Sequence, residues 1–275
     1  MNVQRTGTLW VVATPIGNLE DWSPRGQRVL RAAALIAAED TRHSRPLLAH
    51  FGVDTPMIAL HEHNERAMTD SLLTRLYAGE DIALISDAGT PLISDPGYRL
   101  VRAARDAGIA VRTVPGACAA IAALSIAGVP SDRFVFEGFL PAKATARRAR
   151  LRELLHEPRT LVFYESSHRI VECCADVRDV FGAQREAWLL RELTKLYETA
   201  LGSTLGEIAA RIEYDADQRR GEFVLVVAGA SESGDDKLAE GRRIYALLRE
   251  ELPPAQAAKL AAAISGAPRK ALYEA

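Results

Sequence analysis

The chain has 275 residues, 48% of them hydrophobic and 25% charged, with a formal net charge of −2. That length suits two compact domains with sizeable cores, and the near-neutral charge excludes a polyanion-binding surface spread over the whole molecule, so any nucleic-acid site must be local. No apolar run approaches the ~18 residues of a membrane span, nothing reads as a signal peptide, and Cys118, Cys173 and Cys174 lack metal-ligand spacing, so the expectation is a cytoplasmic protein that binds neither membrane nor metal.

Thr8 to Ala13 reads as a strand broken by Pro15 and Gly17. Ser23-Pro24 is an N-cap followed by proline at the first helical position, which starts a helix over about 24–33. Ala34 to Ala38 is a short strand that ends in Glu39-Asp40-Thr41-Arg42-His43-Ser44. Capping of the next helix by Thr41 or Ser44 accounts for part of this cluster. Its density also suits Glu39 or Asp40 as a proton acceptor and Arg42 as a phosphate contact. Met57 to Leu60 is a further strand, and the His61-Glu62-His63-Asn64-Glu65 segment after it offers two histidines without an evident third ligand. Asn64 and Glu65 are expected to line the same crevice as the earlier acids. Met68, Leu72, Leu73 and Leu76 give residues 65–78 helical spacing.

The most informative stretch follows. Ile82 to Ile85 is an apolar run that reads as a buried strand, and it passes into a loop holding Asp87, Gly89, Pro91, Asp95, Pro96 and Gly97 before a helix from about Tyr98. Open α/β sheets build ligand crevices in this way, at the carboxyl ends of their strands. Glycine lets backbone approach a ligand closely, and Asp87 and Asp95 supply acceptors. The same residues can also serve turns alone. Helix 98–107 and strand 110–114 complete an alternation of strand and helix that argues for a mostly parallel sheet.

Val114-Pro115-Gly116 opens a second unit, in which 117–127 is small and apolar, as a tightly packed helix at a domain junction would be. Strands are expected at 133–137, 160–164, 186–191 and 222–228, with helices at 144–156, 168–181 and 204–212. Lys143, Arg147, Arg148, Arg150 and Arg152 precede the first acid of their segment, Glu153. Such a run is either a solvated helix face or a local polyanion contact. Phe134, Phe136 and Phe139 before it offer base stacking or core packing. Tyr164 and Glu165 lie at a strand end beside the potential cap Ser166 or Ser167, and Lys195 meets phosphate or pairs with Glu192 or Glu198. Residues 230–236 read as a linker, followed by three short helices at 238–251, 254–264 and 268–273. The dinucleotide fingerprint, the P-loop and the zinc-protease helix are all absent from the sequence.

Seven segments in order carry a resemblance: Ala13-Thr-Pro-Ile-Gly-Asn-Leu19, Glu39-Asp-Thr-Arg42, His63-Asn-Glu65, Ser86-Asp-Ala-Gly-Thr-Pro91 with Ile93-Ser-Asp-Pro-Gly97, Val114-Pro-Gly116, Phe163-Tyr-Glu165 with His168-Arg169, and Arg191-Glu-Leu-Thr-Lys195. Together they are similar to the ribosomal RNA small subunit methyltransferase I family, part of the tetrapyrrole methylase superfamily. The resemblance implies two α/β domains, 1–115 and 116–230, with S-adenosylmethionine in the cleft between them, and a helical tail at 237–275. It implies a homodimer that methylates the ribose 2′-oxygen of a decoding-site cytidine in 16S ribosomal RNA of the small subunit. Pro15, Ile16, Asp87, Gly89, Thr90, Pro115, Ala117 and Cys118 match cofactor-cleft positions, and Tyr164 matches a cofactor-side position of the second domain. Ala117-Cys118 and Ser167 depart from the Pro-Ser and Pro expected there. For the chemistry, Glu39 or Asp40 is expected to take the 2′-hydroxyl proton, assisted by His43 or Glu65. Arg42, Lys143 and Lys195 would hold phosphates, and Arg147, Arg148 and Arg150 would extend the RNA contact. The rival readings are a superfamily enzyme acting on a tetrapyrrole or a protein, and a ribosome-assembly factor without catalysis.

Overall fold

The computed structural model describes residues 6–230 and 234–272, which fall into two compact units, up to 155 with 160–228, and 156–159 with 229 onward. The larger unit holds two sheets of five strands each.

The first sheet is wholly parallel, in the order β3-β2-β4-β1-β5. Its strands are β1 (Thr8–Val12), β2 (Leu35–Ala38), β3 (Met57–Ala59), β4 (Ile82–Ile85) and β5 (Ala110–Val114). Four helices connect them: α1 (Pro24–Ala32), α2 (Thr41–His50), α3 (Glu65–Tyr77) and α4 (Tyr98–Asp106). All of β2 and β4 is buried, because helices cover both faces of an internal parallel strand. Alternate residues serve opposite sides. Ile82 and Leu84 join Leu72, Leu76 and Leu100 in one core. Ala83 and Ile85 join Leu30, Leu48 and Trp22 in another. The chain leaves β1 towards β2 on one side and leaves the adjacent β4 towards β5 on the other. Connections that leave neighbouring strands in opposite directions open a crevice at their carboxyl ends, and the loops at 13–18 and 86–97 occupy that position.

The second sheet, ordered β6-β7-β10-β8-β9, pairs β6 with β7 in parallel and is otherwise antiparallel. It comprises β6 (Phe134–Phe139), β7 (Thr160–Ser166), β8 (Glu186–Arg191), β9 (Thr199–Thr204) and β10 (Glu222–Val227). Helix α5 (Ala119–Ala127) packs Ala120, Ala123, Leu124 and Ala127 on one face of it. Helices α6 (Ala144–Glu153), α7 (Ile170–Phe181) and α8 (Leu205–Tyr214) cover the other, where Leu151, Ile170, Cys173, Cys174 and Ile208 are buried. The adjacent cysteines are core residues whose thiols burial pushes up.

Several elements differ from the sequence reading, most clearly two strands of the second sheet. β9 was not expected, since Thr199–Thr204 has little apolar content; it forms by antiparallel pairing along β8. β6 extends two residues beyond the expected end through a bulge between Phe136 and Gly138. The smaller unit contains α9 (Gly234–Leu248), α10 (Pro254–Ser265) and a 3-10 turn at Arg269–Leu272, packed around Ala261, Ala267 and Leu272. α9 starts inside the segment read as a linker, of which 231–233 lies outside the described residues, as does Tyr273 at the end of the last expected helix. No helix among the described residues is long and apolar enough to cross a membrane.

Candidate active site

The crevice is a cavity of about 290 Å³. Ile16, Asp87, Gly89, Thr90 and Asp95 form its wall on the first sheet's side, and Cys118, Phe139, Tyr164, Leu190, Lys195 and Val224 form it on the second's. The loop after β1 is tied to the loop after β4 by Thr14, whose amide donates to the Gly89 carbonyl at 2.9 Å. The Thr90 hydroxyl donates to the Ala117 carbonyl at 2.9 Å, which fixes the segment entering α5. Gly89 has φ +79, and a Cβ there would lie 3.0 Å from Ile16 Cγ2. Both the backbone and the close approach therefore favour glycine. The Tyr164 hydroxyl accepts from the Ala120 amide at 3.0 Å and so satisfies the first turn of α5, which has no side-chain cap of its own.

Charge in the cavity is organised around Asp87. Its carboxylate accepts from the Asp40 amide at 3.1 Å and lies 2.9 Å from His43 Nδ1; this bond raises the His43 imidazole above its ordinary range. The Asp87 amide donates to Glu39 at 3.3 Å. Burial raises the Glu39 carboxyl, with the charges of Asp87 and Asp40 acting in the same direction and the Asp87 amide against them. Burial likewise pushes Asp95 up to about 7, with a Ser86 hydrogen bond opposing and Glu39 and Asp87 reinforcing. Lys195 answers these acids from the second sheet's side, yet its ammonium is itself paired with Glu192 at 2.9 Å and Glu222 at 2.7 Å.

Several residues singled out from sequence lie elsewhere. Asp40 caps α2 and pairs with Arg42 at 2.6 Å, which holds its carboxyl well below the usual range and makes it a poor proton acceptor. Asn64 and Glu65 do not line the crevice. The Asn64 side chain closes the turn before α3, bonding the His61 amide and the Ala59 carbonyl. Glu65 is 5% exposed and accepts from the Arg99 and Leu100 amides at 2.7 and 3.3 Å. It caps α4, whose N-terminal Gly97 has no side chain to do so. Glu65→Ala leaves the Arg99 and Leu100 amides without this partner, the latter buried, and is expected to lower stability by about 1–3 kcal/mol. A urea titration should show the loss, with ligand binding per folded molecule unchanged.

The basic run on α6 is not a free cationic stripe. Arg147 is 1% exposed and bonds Asp176 of α7 at 2.6 Å and the Ala142 carbonyl at 3.2 Å, so it cannot reach a polyanion. Arg148 pairs with Asp176 at 2.5 Å and Arg150 with Glu137 at 2.9 Å, each remaining partly exposed. Lys143 is exposed at the start of α6. Pro15, Pro115 and Ala117 are not cavity-wall residues; they shape the loops that carry Ile16 and Cys118. Asp95, a loop acceptor by sequence, and Phe139, a stacking or packing residue by sequence, both belong to the wall. Phe139 is 53% exposed, with its ring 5.7 Å from that of Tyr164.

Comparison with known proteins adds an independent observation. Residues 8–209 match the family described as Tetrapyrrole (Corrin/Porphyrin) Methylases, and residues 235–275 match the RsmI C-terminal HTH domain. The chain is 62% identical to ribosomal RNA small subunit methyltransferase I of Xylella fastidiosa, over 97% of its own length and 98% of the relative's. It is 53% identical to the protein of the same name from Escherichia coli O157:H7, over 98% and 94% of the two lengths. Its fold is similar to that of uroporphyrin-III C-methyltransferase from Thermus thermophilus complexed with S-adenosyl homocysteine, with a TM-score of 0.54 and 18% identity over 81% of this chain and 97% of that one.

Proposed function

The chain belongs to the tetrapyrrole methylase family and, within it, to the ribosomal RNA small subunit methyltransferase I group; on that footing we propose that it transfers a methyl group from S-adenosylmethionine to the ribose 2′-oxygen of a decoding-site cytidine in 16S ribosomal RNA. The observation that carries this reading is the identity of 62% over 97% of the chain with a relative of that name.

The cavity residues fit the donor by their chemistry. Ile16, Leu190, Leu193 and Val224 offer an apolar wall for an adenosyl group, and Gly89 leaves room for a ligand beside the backbone. Glu39 and Asp87 bring negative charge towards a sulfonium. When bound, the donor supplies an electrophilic methyl carbon on positively charged sulfur. Ile16, Asp87, Gly89, Thr90, Cys118 and Tyr164 would hold it, with Pro15, Pro115 and Ala117 setting the loop shapes.

What remains for the protein is to orient a ribose hydroxyl, exclude water and accept a proton. Of the two acids first read as the acceptor, Glu39 reaches the cavity and Asp40 is held by Arg42. Lys143, the exposed edges of Arg42, Arg148 and Arg150, and Lys195 at the cavity are the cations offered to RNA phosphates. The exposed Phe139 supplies an aromatic surface for a displaced base. The same reading carries a cytoplasmic homodimer, with functional domains at 1–115 and 116–230 and a tail from 237.

The test is transfer of labelled methyl from S-adenosylmethionine to unmodified small ribosomal subunits and to naked 16S RNA in parallel, with the product mapped. A 2′-O-methylcytidine at the decoding site is expected. No transfer to either substrate overturns the proposal.

A further inference from the structure

Resting on that reading of the reaction, we infer that Asp95, rather than Glu39, receives the proton of the ribose 2′-hydroxyl. Three observations support it.

The first is position. Asp95 lines the cavity from the loop that follows β4, and that loop is held in an unusual backbone. Leu92 has φ +73, Ser94 φ +68 and Gly97 φ +122. Left-handed conformations at residues other than glycine persist where surrounding structure enforces them, and they cluster at reacting sites. The bulge of β6 approaches this loop closely, and a Cβ on Gly138 would lie 2.8 Å from Ser94 Oγ. The loop thus seats against the second sheet and presents Asp95 beside Phe139 and Tyr164 in the cavity wall.

The second is availability. Asp40 is committed to Arg42, Asp87 to the Asp40 amide and His43, and one oxygen of Glu39 to the Asp87 amide. Asp95 takes a hydrogen bond from Ser86 and forms no ion pair among the described residues.

The third is the surrounding charge. Glu39 and Asp87 face Asp95 from its own side, with His43 behind Asp87. Tyr164, Glu165, Glu192, Lys195 and Glu222 line the cavity from the other. Burial and the neighbouring acids push the Asp95 carboxyl up to about 7, which matches a base working near neutral pH.

In the step itself, the Asp95 carboxylate takes the hydrogen of the 2′-hydroxyl as a proton. The freed oxygen pair forms the C–O bond to the donor methyl carbon. The pair of the broken C–S bond stays on sulfur as a neutral thioether. Asp95 then returns its proton to water.

The experiment compares the unsubstituted chain, Asp95→Asn and Glu39→Gln in single-turnover methyl transfer to small subunits across pH, with donor Kd measured by calorimetry and the aspartate carboxyl signals titrated by carbon NMR. The unsubstituted rate is expected to rise with pH about a midpoint near 7. Asp95→Asn should lose roughly 10²–10⁴-fold in rate together with that pH limb, keep its donor Kd, and remove one carboxyl signal titrating near 7. Glu39→Gln should keep the limb and move it to lower pH, because a negative neighbour of Asp95 is gone. An unchanged rate in Asp95→Asn, or a donor Kd weakened in step with its rate, overturns the inference. No transfer by the unsubstituted chain overturns the underlying reading of the reaction along with it.

Discussion

Replacing Arg147 by methionine is expected to cost about 3 kcal/mol of stability while leaving RNA affinity and its salt dependence unchanged. The guanidinium is enclosed between α6 and α7, where it meets Asp176, itself 3% exposed. Removing one member of a buried pair costs about 3–5 kcal/mol because the other is left desolvated and uncompensated. The lower end applies here, since Arg148 still bonds the second oxygen of Asp176. Adding Asp176→Leu to Arg147→Met should restore much of the loss, as apolar replacement of a whole buried pair is often neutral. Urea midpoints for the single and double variants measure both effects. A single variant as stable as the unsubstituted chain, but with a shallower salt dependence of RNA binding, would return Arg147 to the surface role suggested by the charge run.

Gly89→Val is expected to weaken S-adenosylmethionine binding on the order of 100-fold, about 2.8 kcal/mol. Two costs combine. At φ +79 an L-residue meets its own backbone, at about 1–2 kcal/mol. Its Cβ would also sit 3.0 Å from Ile16 Cγ2 and 3.3 Å from the Ala117 carbonyl, with the branching methyls adding bulk to the cavity wall. The loop can relieve the strain only by moving, and moving it displaces Asp87 and Thr90. Calorimetric titration with the donor provides the check, with Gly89→Ala as the smaller perturbation. Donor affinity retained in the valine variant would place the donor outside this cavity.

The parts of the site that were legible in the sequence were those whose cause is local. Ile82 to Ile85 reads as a buried strand because nothing polar interrupts it, and the Gly- and Pro-rich loop after it can only be a turn or a ligand edge. Ser23-Pro24 marks the start of α1 by its own chemistry, with the Ser23 hydroxyl accepting from the Gly26 amide at 3.0 Å. What escaped was non-local. Arg147 and Asp176 are 29 residues apart, and no feature of the charge run shows that an acid of α7 lies opposite it. Glu65 carries the charge expected of a cavity acid, but it points at α4 amides 34 and 35 residues further on. β9 depends on a partner strand rather than on its own pattern. Asp87 and Asp95 are alike in sequence, each following Ile-Ser; only burial and partners separate the one held by His43 from the one left free of ion pairs.

The strand order has a consequence for assembly. Unpaired strand edges invite pairing with a second chain. In the first sheet β3 has only three residues. The opposite edge, β5, carries Arg112 over the Trp10 ring at 5.6 Å and is followed at once by Pro115, which has no amide to extend a ladder. The bulge in β6 interrupts the regular edge of the second sheet on that side. β9 is the edge without such a guard: six residues, Thr199–Thr204, with no charged side chain among them. Intermolecular sheet extension during refolding at high concentration would therefore begin along β9, and a lysine on that strand is the substitution that would discourage it.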